Sequence, residues 1–319
     1  MTSVVLLLPA PARFGAQRWQ PDVARAFGRA DVVAHASGRR AQLARHVALP
    51  GDSWPLAALS RQVDVGDAAV DGAAWLRADP AWLRPDINGV RLMGHGDTLG
   101  LTQADVDALL PALQPVFADA GFVLDAPSPA RWYLRLPGDV RVPMFPDPSD
   151  ALGTDLADHD EDAGPEARRW RALGTEAQVL LHNHSWNARR LASGLPPVNA
   201  LWFWGGGVLP AVAGVAAAST QTYTGDATLH ALAAQSGTVE ALPDALPALR
   251  AGALFDLVGL RDLRQLQQDW LRPALDALAD GRIATLVIDD EAGEVRTLRR
   301  RHRLRVWRRA WAPHAATDA

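Results

Sequence analysis

Apolar residues fall in short runs along this chain, and the polar breaks between them decide the elements. Val4-Val5-Leu6-Leu7-Leu8 stops at Pro9 and predicts a buried strand over residues 3–8. It has no basic residue before it, so it reads as a strand and not as a signal peptide. Residues 20–47 read as helical and rich in Ala and Arg. Between 60 and 100 the pattern shortens. Ala73-Ala74-Trp75-Leu76-Arg77 and Val90-Arg91-Leu92-Met93 are broken by Asp79-Pro80 and Asn88-Gly89, the mark of strands and turns. Thr102 with Asp105 three residues on forms a capping box, opening an amphipathic helix to about Ala120 that Pro111 and Pro115 bend. Arg131 to Leu136 alternates as a strand, and Pro143-Met144-Phe145-Pro146-Asp147-Pro148 is a rigid turn.

Residues 155–162 are acidic and predict a solvated loop before a helix near 165–192. Val198 to Trp204 is an apolar run delivered into Gly205-Gly206-Gly207. A backbone so stripped of side chains suits close approach by a ligand or another chain. Ala253–Val258 and Ile283–Ile288 predict strands with a helix from Leu260 to Asp280 between them, a unit that favours parallel pairing. From Arg296 to Arg309 arginine alternates with apolar residues, as on an edge strand or hairpin.

Composition narrows the chemistry. The 319 residues contain no cysteine, and all 32 basic residues are arginine. A lysine-bearing phosphate loop, a Schiff base, a thiol nucleophile and thiolate metal sites are therefore excluded. Anions must be met by arginine, backbone N–H groups or helix N-termini. A net charge of -4 gives no pull toward nucleic acid or an anionic membrane, and no segment approaches the roughly 20 apolar residues of a membrane span. The expected setting is the cytoplasm. Most of the twelve tryptophans lie in apolar runs and read as core. His182 and His184 are two apart and point different ways on a helix, and His159 sits in the acidic loop.

The most distinctive stretch is His184-x-x-Asn187-x-x-Arg190, then Gly194, Asn199 and Trp202-x-Trp204-Gly205-x-Gly207. This pattern resembles the archaeal-type cofactor-independent phosphoglycerate mutases of the alkaline phosphatase superfamily. The resemblance runs over about residues 70–290. It is similar in finer detail to the RpfE-type regulatory group, which shares Ala-Asp-Pro, Trp-Tyr-Leu, Pro-Met-Phe-Pro and Leu-Trp-Phe-Trp-Gly-Gly-Gly, all present here. It implies an α/β fold with a reduced alkaline-phosphatase-like core, residues 1–65 and 195–319, and an inserted α+β domain, residues 66–194.

Such enzymes hold two divalent metals with Asp and His ligands and use a Ser or Thr nucleophile. The resemblance places the first ligand after the first strand, where this chain has Leu8-Pro9-Ala10-Pro11. The later ligand segments keep only Asp262, Asp289 and Asp290, without their histidines. The expectation is a protein that has lost the two-metal site, needs no cofactor, and serves as a regulatory or small-anion-binding protein. Its candidate ligand residues are Arg77, Asp79, Arg84, Arg131, Arg135, His184, Asn187, Arg190, Asn199, Trp204 and Gly205. A phosphorylated or carboxylate small molecule suits the arginines. The alternatives are an active mutase using Mn or Mg at a rearranged site, and a partner-binding protein using the Arg-rich tail.

Overall fold

The computed structural model describes residues 3–48, 54–66, 72–86, 89–138, 140, 142–143, 145–152, 164–209, 216–217, 219–235, 237–250 and 252–312. Asn88, Met144 and the acidic stretch with His159 lie outside the described residues. In chain order the elements are β1 (Ser3–Leu8), α1 (Pro21–Arg29), β2 (Asp31–Ala34), α2 (Arg39–Ala44), β3 (Val47–Ala48) and α3 (Leu56–Val65). Then come β4 (Ala74–Asp86), β5 (Gly89–His95), α4 (Gln103–Asp119), β6 (Val123–Ser128), β7 (Arg131–Leu136), α5 (Pro148–Ala151), α6 (Pro165–His182) and α7 (Ser185–Ala192). The remainder is β8 (Ala200–Val208), β9 (Ala216–Ala217), β10 (Gln221–Tyr223), α8 (Ala227–Ala233), β11 (Thr238–Glu240), β12 (Ala253–Asp256), α9 (Leu263–Gln265), a π-helical stretch (Leu266–Leu271), α10 (Arg272–Ala279), β13 (Thr285–Asp290) and β14 (Glu294–Arg299). The chain is thus a mixed α/β protein. No helix among the described residues is long and apolar enough to cross a membrane.

The chain divides into two units, Met1–Leu49 with Gly214–Ala319, and Pro50–Ala213. The expected boundaries at 65/66 and 194/195 shift for a physical reason. Helix α3 packs on β4, and β8 pairs along β4 from Ala74 to Ala81, so both belong to the second unit.

The first unit is built on a seven-stranded sheet ordered β11-β10-β12-β1-β13-β14-β2. β12 and β13 both run parallel to β1, one on each side, as the strand–helix–strand pattern predicts. β1, β12 and β13 are buried almost throughout, which is why β1 reads as one apolar run. Trp270, Leu271, Ala274 and Ala277 of the covering helix pack on Leu6, Phe255 and Ile288.

Two readings change here. Residues 20–47 are not one helix: β2 interrupts them, because β-branched Val32 and Val33 pair with β14 as the outermost strand. Of the two readings of the Arg-rich segment, edge strand or hairpin, the hairpin holds for its first part: β14 pairs antiparallel with β13 and is not at the edge, since β2 lies beyond it. Arg296, 1% exposed, is ion-paired with Asp290 at 2.7 Å and lies over the rings of Phe27 and Trp311.

The second unit carries a sheet ordered β5-β4-β7-β6, with β8 paired to β4. Its two faces separate by the period of two. Leu76, Ala78, Trp132, Leu134 and Leu136 join the core formed with α4 and α6. Trp75 and Tyr133 turn to the opposite face and pack on Ala57 and Ala58 of α3. β4 continues through Asp79-Pro80, where a break was expected. Pairing with β7 ends at Arg77 and pairing with β5 begins at Ala81, so Pro80 sits where one side of β4 has no partner strand and a missing N–H is tolerated. The Thr102–Asp105 capping box forms as read, and α4 runs through both prolines. The expected 165–192 helix breaks into α6 and α7 at Asn183–His184.

Candidate functional site

Open α/β sheets gather their chemistry at the carboxyl ends of parallel strands. In the first unit those ends present Asp256 from β12, Asp289 and Asp290 from β13, and Glu291 just after it. The segment from Arg39 to His46 supplies their partners. Arg39 donates to Asp256 at 2.7 Å, and the Thr224 hydroxyl donates to the same oxygen at 2.8 Å. Arg45 grips Asp289 through Nε at 2.8 Å and Nη2 at 2.6 Å, and His46 Nε2 is 2.8 Å from Asp289 Oδ2. Between them Gln42 donates to the carbonyls of Leu8 at 3.0 Å and Asp289 at 2.8 Å, tying α2 to β1 and β13.

Burial pushes the Asp289 carboxyl up, but the bonds from Arg45 and His46 outweigh it and hold the group below the usual carboxylate range. For Asp290 and Glu291 burial wins over Arg296 and Arg13, and both carboxyls lie above their ordinary values. A pair of divalent cations does not fit this donor set. Asp256 and Asp289 already hold guanidinium groups, and the described residues contain no group of three His, Asp or Glu that could hold a metal ion. Asp262 is an exposed cap, its Oδ1 accepting the N–H of Arg264 at 2.7 Å.

The second unit holds a different arrangement, between the sheet and α3. Arg77 and Asp79, two apart on β4, share a face and pair through Nε–Oδ1 at 2.9 Å and Nη2–Oδ2 at 2.8 Å. The Trp204 indole donates to Asp79 at 2.7 Å, and Arg77 Nη1 donates to the Ser60 hydroxyl at 3.2 Å. The Arg77 guanidinium lies 5.2 Å from the Tyr133 ring centre and 5.1 Å from that of Trp204.

Asp64 of α3 accepts from Arg131 Nη2 at 2.7 Å and from the Tyr133 hydroxyl at 2.6 Å. Burial, with the nearby Asp64 carboxylate, drives the Tyr133 hydroxyl well above its ordinary value, and the bond to Asp64 raises that of Arg131. Arg61 completes the cluster, 4.1 Å over the Trp75 ring and 2.6 Å from Asp125. Its Nε and Nη1 are buried and have no hydrogen-bond partner.

Gly205 explains part of the glycine triplet. Its φ is +66°, and a Cβ there would stand 3.1 Å from Leu56 Cβ and 3.3 Å from Ala57 N. The close approach is that of α3 to β8 within the chain.

The remaining sequence candidates form a clasp in the second unit. Arg190, 3% exposed, donates to Asp105 at 2.6 Å and to the carbonyls of Leu99 at 2.6 Å and Pro196 at 2.9 Å. Asp105 also accepts from the Trp186 indole at 2.7 Å and from Thr102 at 2.8 Å. Burial raises its carboxyl, but these bonds prevail and bring it down to about 2. Asn187 bonds the carbonyls of Leu181 and Val198 and accepts from Val198 N–H. His184 caps α7, and Asn199 brackets the backbone of Leu83 with 2.8 Å bonds in both directions. Arg84 and Arg135 are exposed on β4 and β7.

Of the candidates, then, Arg77, Asp79, Arg131 and Trp204 converge beneath α3, with Gly205 at its N-terminus. His184, Asn187 and Arg190 belong to the clasp. Sequence reading missed Arg61, Asp64 and Tyr133, and the whole of Arg39, Arg45, His46 and Asp256. The spacing of Ser60, Arg61 and Asp64 on one face of a helix was the available signal for the first group. The second gives none, since Arg45 and Asp289 stand 244 positions apart.

No protein-family profile matches the chain. It is 29% identical over 163 residues to a probable 2,3-bisphosphoglycerate-independent phosphoglycerate mutase of Geobacter sulfurreducens. That match spans 50% of this chain and only 38% of the relative's length. Among solved structures, a cofactor-independent phosphoglycerate mutase from Thermoplasma acidophilum aligns over 93% of this chain and 89% of its own, at 15% identity and TM-score 0.40. The PH0037 protein from Pyrococcus horikoshii aligns over 93% and 86%, at 11% identity and TM-score 0.44. On its sequence match, the chain is a distant homologue of the cofactor-independent phosphoglycerate mutases.

Proposed function

We propose that the chain is a phosphoglycerate-mutase-like protein that has lost two-metal catalysis and serves as a regulatory, small-anion-binding protein of the RpfE type. The observation that carries this is the occupation of the strand-end carboxylates by arginine. Asp256 holds Arg39, and Asp289 holds the Arg45 fork. In the metal-dependent reaction, paired cations neutralise the charge that develops on the transferring phosphoryl group. A guanidinium locked against a buried carboxylate offers no such open coordination position. Displacing it would also leave a buried cation without a partner.

The anion-binding half of the proposal rests on the second unit. Arginine recognises phosphate and carboxylate by paired N–H groups. Among the described residues, Arg61 is the guanidinium with two buried donors still unpartnered, and its carbon lies 4.1 Å from the Trp75 ring centre.

The test is metal analysis of the purified protein together with an assay of 2- and 3-phosphoglycerate interconversion with added manganese. The expected result is no stoichiometric metal and no turnover. Stoichiometric metal accompanied by turnover sinks the proposal. Calorimetric titration with 3-phosphoglycerate tests the anion site, and Arg61→Met should weaken binding about tenfold if Arg61 supplies a charged hydrogen-bond pair.

One further observation favours a second reading, of partner binding through the C-terminal segment. Leu304, Val306 and Trp307 are 67%, 74% and 75% exposed in a stretch that also contains Arg301, Arg303, Arg305, Arg308 and Arg309. Apolar side chains set among arginines suit an acidic partner surface. Binding that survives Trp307→Ser would count against it.

A further inference from the structure

The second unit contains a cleft that the arginine clusters do not use. It lies between helix α6 and strand β8, has a volume of about 330 Å³, and is lined by Phe145, Trp170, Gly174, Leu201, Trp202 and Phe203 among others. That is the size of a small-molecule site, and its lining is dominated by aromatic rings. Among the described residues β8 pairs only with β4.

Two details indicate that the cleft is a binding site and not merely imperfect packing. The first is Gly174, in the interior of α6. Glycine there costs about 1 kcal/mol relative to alanine. Its backbone does not require it, since its φ is not in the positive range. Its neighbours do not require it either. A Cβ would meet only Phe203, at 3.5 Å, an ordinary contact. Gly174 lies with Arg171, Thr175 and Gln178 on one helical stripe that lines the cleft, so any larger side chain there would extend into the open volume.

The second detail is Trp170, which is 2% exposed. Its ring is fixed by stacking on Phe122 at 5.1 Å and by edge contacts with Phe145 at 5.7 Å and Phe203 at 5.3 Å. Its indole N–H is buried with no acceptor. A buried donor without a partner carries a desolvation cost of about 1–3 kcal/mol. A ligand oxygen would remove that cost. Trp202, by contrast, already donates its indole proton to the Pro146 carbonyl at 3.1 Å.

We propose that this cleft binds a small, planar, largely apolar molecule carrying a hydrogen-bond acceptor, which stacks among Trp170, Trp202, Phe145 and Phe203 and accepts from the Trp170 indole. The aromatic walls select the planar body, and the unpartnered Trp170 N–H favours an oxygen. Arg171 is the one charged residue in the lining and lies on the exposed side of α6, so the walls are mainly apolar and this ligand differs in kind from the anion proposed at Arg61.

The test titrates the full chain with 6-propionyl-2-(dimethylamino)naphthalene, a neutral planar ketone whose emission moves to shorter wavelength in apolar surroundings. Saturable one-site binding with blue-shifted emission is expected. Gly174→Leu fills the cleft from the helix side and should weaken binding at least tenfold. Thr175→Trp, placed at an exposed rim position, should do the same without touching the core, and so covers the case in which Gly174→Leu fails to fold. Trp170→Phe keeps a ring but removes the donor. It should weaken binding about fivefold, the worth of a neutral hydrogen bond, and move the bound emission further to the blue. Absence of saturable binding overturns the proposal, as does wild-type affinity in a folded Gly174→Leu or Thr175→Trp variant.

Discussion

The two units use arginine in opposite ways. At the strand ends of the first, Arg39 and Arg45 are counter-ions, each consumed by a buried carboxylate of a central strand. Beneath α3 in the second, Arg61 and Arg77 lie on the faces of Trp75, Tyr133 and Trp204, and Arg61 keeps donors in reserve. A guanidinium can satisfy a carboxylate with its edge and an aromatic ring with its face. The first use fills a buried carboxylate and the second leaves N–H groups without an acceptor. In a chain without lysine the same residue type serves both ends, and only its surroundings tell them apart.

The sharpest way to break this comparison is to remove a counter-ion. Arg45→Met leaves the fully buried Asp289 with His46 as its main partner and should destabilise the protein by about 3–5 kcal/mol, read as a lowered midpoint in urea. Adding Asp289→Asn should recover a substantial part of that loss, because the orphaned charge goes with it. If the single variant is as stable as wild type, the fork is not a structural counter-ion and the strand end is open to other ligands.

A smaller effect sharpens the role of Asp105. Its folded-state value of about 2 lies below that of an unfolded aspartate. The unfolded chain therefore takes up the proton first as pH falls. The stabilisation from this group is complete above about pH 4 and is lost as pH falls toward 2. It amounts to on the order of 2 kcal/mol. Asp105→Asn should flatten that part of the acid-unfolding curve while lowering stability at neutral pH. Asp290 and Glu291 work in the other direction. Their raised values mean that protonation on mild acidification relieves a cost in the folded state.

The smallest effect concerns the cleft. Gly174→Ala should stabilise the protein by about 0.5–1 kcal/mol, measured by thermal unfolding, since the helix gains propensity and the new methyl meets only Phe203. A loss of stability would show that packing, and not an open cleft, holds glycine at this position.

Much of the fold was legible because it depends on local pattern. The β1 run, the Thr102–Asp105 cap, the alternation of Arg131–Leu136 and the late strand–helix–strand unit each carry their period in the residues themselves. The misreadings arose where neighbours in space overrode the local signal. Asp79-Pro80 looks like a turn but lies within a strand, because a gap between partner strands tolerates the proline. Val32-Val33 was absorbed into a helical reading because only pairing with β14 makes it a strand. In the candidate site, Arg77, Asp79 and Trp204 stood in recognisable motifs. Arg45 and Asp289 did not, since no local pattern links residues at opposite ends of the chain.

The position of β1 has a consequence for how the chain is made. It precedes the whole second unit in the chain, yet both of its sheet neighbours, β12 and β13, lie beyond residue 250. The second unit is a single continuous segment and can complete its sheet while translation proceeds. The first unit must wait, with an apolar strand exposed, until β12 and β13 have left the ribosome. Truncations near the C-terminus should therefore release a folded second unit attached to an aggregation-prone N-terminal strand.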